Sequence, residues 1–216
     1  MSAAPTPHLV YFADPMCSWC WGFSPVIQAI EQEFGERLPI RVVAGGLRPG
    51  TRTPMLDADR ASVREHWQHV HAMTGQAFDW GFFDRPDFVY DTEPACRAVV
   101  VLRRHGEALA LRALRHIQQA FYAGNRDVTD VSVLASIAAG LGVDAGEFEQ
   151  EWRSARAREL TSADFALTQA SGIRGFPTLI AGAGGGRAYA LVTHGYQARD
   201  VVLPALQEWL AAQPGA

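Results

Sequence analysis

The stretch Leu9-Val10-Tyr11-Phe12-Ala13-Asp14-Pro15-Met16-Cys17-Ser18-Trp19-Cys20-Trp21 decides how the rest of the chain is read. Leu9 to Phe12 is an apolar run of β-forming residues and predicts a buried strand. Pro15 marks a turn. Beyond it Val26, Ile27, Ile30 and Phe34 recur at helical spacing, and Gly35 stands where a helix would end. The CxxC pair Cys17 and Cys20 thus falls between a strand and the first turn of a helix.

That placement has a chemical consequence. A helix N-terminus carries unpaired N–H groups and the positive end of the macrodipole, so it favours a thiolate over a thiol. An ordinary cysteine titrates near ~8.5, and CxxC cysteines at helix starts drop below that. Cys17, nearer the helix start, is expected to attack, and Cys20, one turn in, to resolve the mixed disulfide. The competing reading is half of a zinc site. With 3 cysteines in the chain a four-cysteine site is excluded, and histidine ligands would have to gather from distant segments.

After the first helix, Pro39 to Gly46 reads as a second strand, parallel to the first through a β–α–β crossover. Arg48 to Pro54 is turn-rich and opens a long helical region. Helices are expected near Arg60–Thr74, from Thr92-Glu93-Pro94 to Gly106, over Glu107–Ala123, after the caps Asp130 and Asp144, and from about Ser162 to Ala170. The aromatic stretch Phe78–Tyr90 is read as an irregular loop. Strands follow at Phe176–Ala181 and Tyr189–Thr193, joined by a glycine-rich turn at Gly182–Gly186. An amphipathic closing helix spans Val201–Leu210, with Leu203, Leu206 and Leu210 on one face.

At this point the residues resemble a family. Asp14-Pro15-Met16-Cys17-Ser18-Trp19-Cys20-Trp21 is similar to the active-site segment of thioredoxin-like proteins of the DsbA family, most of all its FrnE-like disulfide isomerase branch. Gly172-Ile173-Arg174-Gly175-Phe176-Pro177-Thr178-Leu179-Ile180 resembles the family's cis-proline loop. The two motifs are too far apart for a minimal thioredoxin domain. The resemblance therefore implies an α/β, thioredoxin-like fold with a large all-helical insertion: a discontinuous domain of residues 1–47 and 172–216 around an insertion of residues 48–171.

The same resemblance implies a protein disulfide oxidoreductase of the reductase or isomerase type. Its redox centre is the Cys17–Cys20 pair, with no metal and no other cofactor. Its substrates are protein or small-molecule disulfides, with glutathione admitted as a co-substrate and the electron donor left open. An X–Pro bond taken alone is expected to be trans; the resemblance makes Pro177 cis, facing the CxxC and exposing a strand edge to an extended peptide. Phe176 then lines the substrate groove. Two alternatives stand. One is a glutathione-dependent enzyme like 2-hydroxychromene-2-carboxylate isomerases and kappa-class glutathione transferases, which carry serine where Cys17 stands. The other is a non-catalytic peptide-binding module.

Other residues carry weaker signals. Trp19 and Trp21 either offer an apolar surface to substrate or simply pack. Asp14 either caps the helix or accepts a proton from Cys20; as a nearby carboxylate it also opposes thiolate formation. Cys96, on an insertion helix, reads as a small buried hydrophobe, with a third redox role as the alternative; the resemblance implies a structural role near the active site. His66, His69 and His71 do not form a metal-binding pattern, since residues 66 and 69 share a helical face and 71 points elsewhere.

Composition narrows the function classes. A net charge of −4 gives no general basis for binding nucleic acid. Every basic side chain is arginine, so Schiff-base, general-base and phosphate-loop lysines are excluded. Met1 to His8 lacks a positive region followed by an apolar core, and no apolar run is long enough to span a membrane. The expectation is a cytoplasmic protein with no membrane partner.

Overall fold

The computed structural model describes residues 7–184 and 188–213 of the 216. The expectation for the first six residues, and that for Gly185 and Gly186 in the glycine-rich turn, lie outside the described residues. Strand β1 (His8–Ala13) leads into helix α1 (Ser18–Phe34), and a 3-10 turn at Gly35–Arg37 leads to β2 (Ile40–Ala44). β2 runs parallel to β1, with Leu9 opposite Ile40 and Ala13 opposite Ala44. Six α-helices then intervene before the chain returns to the sheet: α2 (Asp57–Thr74), α3 (Glu93–Arg103), α4 (Glu107–Tyr122), α5 (Val131–Gly140), α6 (Ala145–Arg153) and α7 (Ala155–Ala170). Strands β3 (Thr178–Gly182) and β4 (Ala190–His194) and helix α8 (Arg199–Ala211) close the fold.

The sheet order is β2-β1-β3-β4, with β3 antiparallel to β1 and β4 antiparallel to β3. β1 is central and buried on both faces. Leu9 and Tyr11 face the main core, while Val10 and Phe12 pack with Val43 on the other side. Burial on both faces is why β1 reads as a continuous apolar run rather than an alternating one. This is a thioredoxin-like fold with helices inserted between β2 and β3. One apolar core runs from Leu9 and Ile30 through Trp67 and Val99 to Leu206, so the inserted helices share the core of the sheet.

The outer edge of β2 is sealed by side chains from the inserted helices. Val42 N donates to Glu107 Oε2 at 3.3 Å and Ala44 N to Asp164 Oδ2 at 2.8 Å. Val42 O accepts from Arg103 Nη1 at 2.6 Å, and Ala44 O from Thr168 Oγ1 at 3.2 Å. An open strand edge invites pairing with another chain, and these contacts block it.

Several boundaries differ from the sequence reading. α7 begins at Ala155, capped by Ser154, whose Oγ accepts from Ala157 N at 3.0 Å, and not near Ser162. Its buried residues are Ala157, Thr161, Asp164 and Thr168, so it has no apolar stripe for a periodicity argument to find. α2 starts at Asp57, ahead of Arg60, and α3 stops at Arg103 short of Gly106. Thr92 precedes α3 as expected but does not cap it with its side chain. Its Oγ1 accepts from Arg48 N, while Asp91 Oδ1 accepts from Glu93 N. β3 starts at Thr178, after Pro177, which has no N–H to give a ladder. The aromatic loop contains a 3-10 turn, Trp80–Asp84, opened by Asp79, whose carboxylate accepts from Gly81 N. Among the described residues no helix is long and apolar enough to cross a membrane.

Candidate active site

A short turn delivers the CxxC to the start of α1. Asp14 Oδ1 accepts from Met16 N at 2.8 Å, and Asp14 O accepts from Cys17 N at 3.1 Å. Cys17 is the N-cap of α1, in an extended conformation at φ −93° and ψ 116°, and no side chain caps the helix. Asp14 therefore does not cap α1. Its carboxylate lies one turn too early and tightens the preceding turn instead. The first turn of α1 contains no acidic residue, so nothing on it opposes the positive helix end facing Cys17. Pro25 would leave Trp21 O without its helical donor. Ser24 Oγ at 2.9 Å and Gln76 Nε2 at 2.8 Å supply replacements, so the helix continues beneath the cysteines.

The loop before β3 comes to meet the first cysteine. The Phe176–Pro177 peptide is cis, and Cys17 Sγ donates to Phe176 O at 3.6 Å. The Phe176 ring lies against Gly45 at the end of β2, where an added Cβ would come within 2.4 Å of it. Any side chain at position 45 would push the ring, and the loop with it, away from the cysteine. Gly195 N holds the other side of the loop by donating to Pro177 O at 2.7 Å.

The two thiols sit in different surroundings. Cys17 is 5% exposed and Cys20 is fully buried; neither is disulfide-bonded. Burial pushes the Cys20 thiol well up, and the hydrogen bond it gives to Cys17 and the Cys17 charge push it further. Burial also raises the Tyr11 hydroxyl, and the charges of Cys20 and Cys17 raise it further. Asp14 is fully buried, and burial raises its carboxyl. Hydrogen bonds from Leu47 N at 2.7 Å, Met16 N and Cys96 Sγ at 3.3 Å partly offset that rise. Cys96 is thus buried, as its residue type suggests, and near the site, as the resemblance implies. Its thiol is held well up, first by burial and then by the Asp14 charge.

A cleft of about 220 Å³ opens above Cys17. Trp19 and Phe176 line it, as do Leu47, Arg48, Val63, His66, Trp67 and Tyr90. Trp19 is half-buried, with its ring 6.0 Å from that of Tyr196. Trp21 packs inward, stacked on Tyr122 and donating from Nε1 to Ala77 O at 3.0 Å. Sequence reasoning did not assign Leu47, Arg48, His66, Trp67 or Tyr90 to the site. A signal existed for Leu47 and Arg48: they follow the carboxyl end of a parallel strand, where ligands of α/β sheets gather. His66 and His69 are exposed on α2, and His71 Nδ1 donates to Gln76 O at 2.7 Å. Among the described residues no group of three His, Cys, Asp or Glu side chains is arranged to hold a metal.

Comparisons with known proteins agree with this architecture. A family model described as thioredoxin matches residues 11–202. The structure of a candidate protein disulfide isomerase from Nitrosomonas europaea is 38% identical, covers 97% of this chain and 100% of its own, and superposes with a TM-score of 0.89. The cytosolic disulfide reductase DsbM from Pseudomonas aeruginosa is 28% identical, covering 94% of this chain and 95% of its own at a TM-score of 0.73, and DsbM has also been solved with GSH. Among curated proteins, the ClpXP adapter protein SpxH of Bacillus subtilis is 23% identical over 175 residues, which are 80% of this chain and 57% of SpxH. The chain thus spans less than two thirds of the length of those curated relatives. With a family model running from β1 into α8 around a helix-borne CxxC, this chain belongs to the thioredoxin family.

Proposed function

We propose that the chain is a thiol–disulfide oxidoreductase that reduces or isomerises disulfides with Cys17 and Cys20. One observation carries the reading. Cys17 caps the positive end of α1 with its sulfur 3.6 Å from the carbonyl before Pro177, while Cys20 waits one turn deeper. The Cys17 thiolate attacks one sulfur of a substrate disulfide, forms a mixed disulfide and expels the other half as a thiolate. Cys20 then gives up its proton and attacks Cys17 Sγ. The second substrate thiolate leaves, the substrate has gained two electrons, and a Cys17–Cys20 disulfide remains.

The raised Cys20 pKa keeps that thiol protonated until the mixed disulfide forms, which separates attacker from resolver. Trp19, Phe176 and Pro177 would hold the substrate, and Asp14, whose charge acts on Cys20, would take the Cys20 proton. Both its oxygens are engaged by other donors, so such a transfer would need one of them to yield. We place the protein in the cytoplasm, working as a dithiol that an external thiol donor regenerates, with glutathione as a co-substrate and no other cofactor. The cytosolic relative DsbM, solved with GSH, supports this setting.

The test is reduction of insulin and of glutathione disulfide by the wild type and Cys17→Ser, and the serine variant should lose both activities. Retention of either by Cys17→Ser overturns the mechanism. The SpxH relatives motivate a second reading, a protein-binding adapter that uses the cleft without redox chemistry. A Cys17→Ser, Cys20→Ser double variant that keeps full partner binding, from a wild type without disulfide turnover, would select it. Retention of both cysteines argues against the glutathione-dependent isomerase or transferase alternative.

A further inference from the structure

The cleft above Cys17 is walled mostly by apolar side chains, and no carboxylate lines it. Its two basic side chains are Arg48, from the turn after β2, and His66, from α2. The Arg48 backbone is pinned: its N donates to Thr92 Oγ1 at 3.1 Å, and its O accepts from Thr51 Oγ1 at 3.0 Å. Its guanidinium lies 5.2 Å from the Tyr90 ring centroid and makes no ion pair among the described residues. Asp91, which follows Tyr90 in the chain, is committed to Gly50 N at 2.8 Å and Glu93 N at 3.0 Å. An arginine fork with a fixed base and an uncommitted tip is suited to a carboxylate, which it engages through two parallel hydrogen bonds.

We propose that Arg48, with His66 lining the same cleft, selects small-molecule disulfides that carry carboxylates. The inference rests on the reading that Cys17 attacks disulfides, and it specifies which ones. A cleft of about 220 Å³ admits one half of a small disulfide and leaves the other half in solvent. The buried sulfur then meets Cys17 while its carboxylate reaches Arg48 at the mouth. The cation–π contact with Tyr90 holds the guanidinium near the wall and limits the freedom lost on binding. The reaction is the one already described: two electrons pass from the Cys17–Cys20 dithiol to the substrate, two substrate thiols are released, and a single turnover needs no other reductant.

Three probes of different charge test this: glutathione disulfide (net negative), 2-hydroxyethyl disulfide (neutral) and cystamine (net positive). The reduced protein is mixed with each in single-turnover experiments, and each rate is divided by that of dithiothreitol with the same disulfide. This removes intrinsic reactivity. The wild type should prefer them in that order, and added salt should shrink the spread. Arg48→Gln should lower the ratio of glutathione disulfide to cystamine by about tenfold, the loss expected of a hydrogen bond to a charged group, and Arg48→Glu should invert it. An unchanged order in both variants, or a wild-type spread indifferent to salt, overturns the inference and leaves the redox reading standing. Equal oxidation of wild type and Cys17→Ser, or no reaction with any probe, overturns the redox reading itself.

Discussion

Asp164→Ala should cost about 3–5 kcal/mol of folding stability, the loss seen when a buried ion pair is deprived of one partner. Asp164 on α7 grips Arg103 on α3 through two bonds, Oδ2 to Nη1 at 2.7 Å and Oδ1 to Nη2 at 2.9 Å. Both side chains are largely out of solvent, at 14% exposure for Arg103 and 6% for Asp164. Burial alone would lower the Arg103 pKa, yet the hydrogen bond and charge of Asp164 leave it raised, so the guanidinium stays charged. Alanine would strand that charge and also orphan Ala44 N on the β2 edge. For a chain of this size each kcal/mol moves the melting temperature about 2–4 °C, so the midpoint should fall by roughly 6–20 °C. The charge-free double variant Arg103→Leu, Asp164→Leu should recover much of the loss. What remains, about 1–3 kcal/mol, is the price of leaving Val42 O and Ala44 N unpaired. Urea denaturation of the wild type, Arg103→Leu, Asp164→Leu and the double variant measures the coupling. Additivity within about 0.5 kcal/mol would mean the two residues do not act as a pair.

Three further outcomes follow from the site and core. Cys20→Ser should stop the reaction after its first step, so a mixed disulfide at Cys17 accumulates under excess glutathione disulfide. An intact-mass spectrum showing only unmodified protein would contradict the division of labour between the thiols. Trp67→Ala should cost about 3–5 kcal/mol, because the buried indole stacks on Phe82 at 4.9 Å and meets Phe78 and Tyr122 at 5.0 Å. A loss under about 1.5 kcal/mol in chemical denaturation would show that the aromatic cluster closes over the gap. Stability should also decline in alkali. Cys20 and Cys96 titrate higher in the folded chain than the ~8.5 of an unfolded thiol, so the folded state holds protons the unfolded state has lost. Their contribution is whole below that value and disappears as pH rises through the folded pKa values. Urea midpoints unchanged between pH 7 and 10 would refute the burial argument.

The β–α–β opening, the CxxC at a helix start and the helical middle were all legible from the sequence. They rest on local signals: β1 is apolar throughout because both its faces are covered, and α1 shows its buried side at helical spacing. Caps such as Asp130 and Asp144 act within three residues and could be read directly. The late start assigned to α7 shows where such reasoning stops. Its buried face is polar because it answers to β2 and Arg103, partners far away in the chain.

The residue types and their local order therefore determined that a CxxC pair would sit at a helix N-terminus in a thioredoxin-like frame. Only the tertiary structure decided what surrounds that thiol. Phe176 O reaches Cys17 because Gly45 leaves room for the Phe176 ring. Asp14 braces Leu47, Met16 and Cys96 instead of capping its own helix. Arg48 comes to the mouth of the cleft because the Thr92 hydroxyl, 44 residues away, holds its backbone. Hydrogen bonds and close packing between segments remote in sequence depend on distances in space, which no periodicity or spacing along the chain encodes.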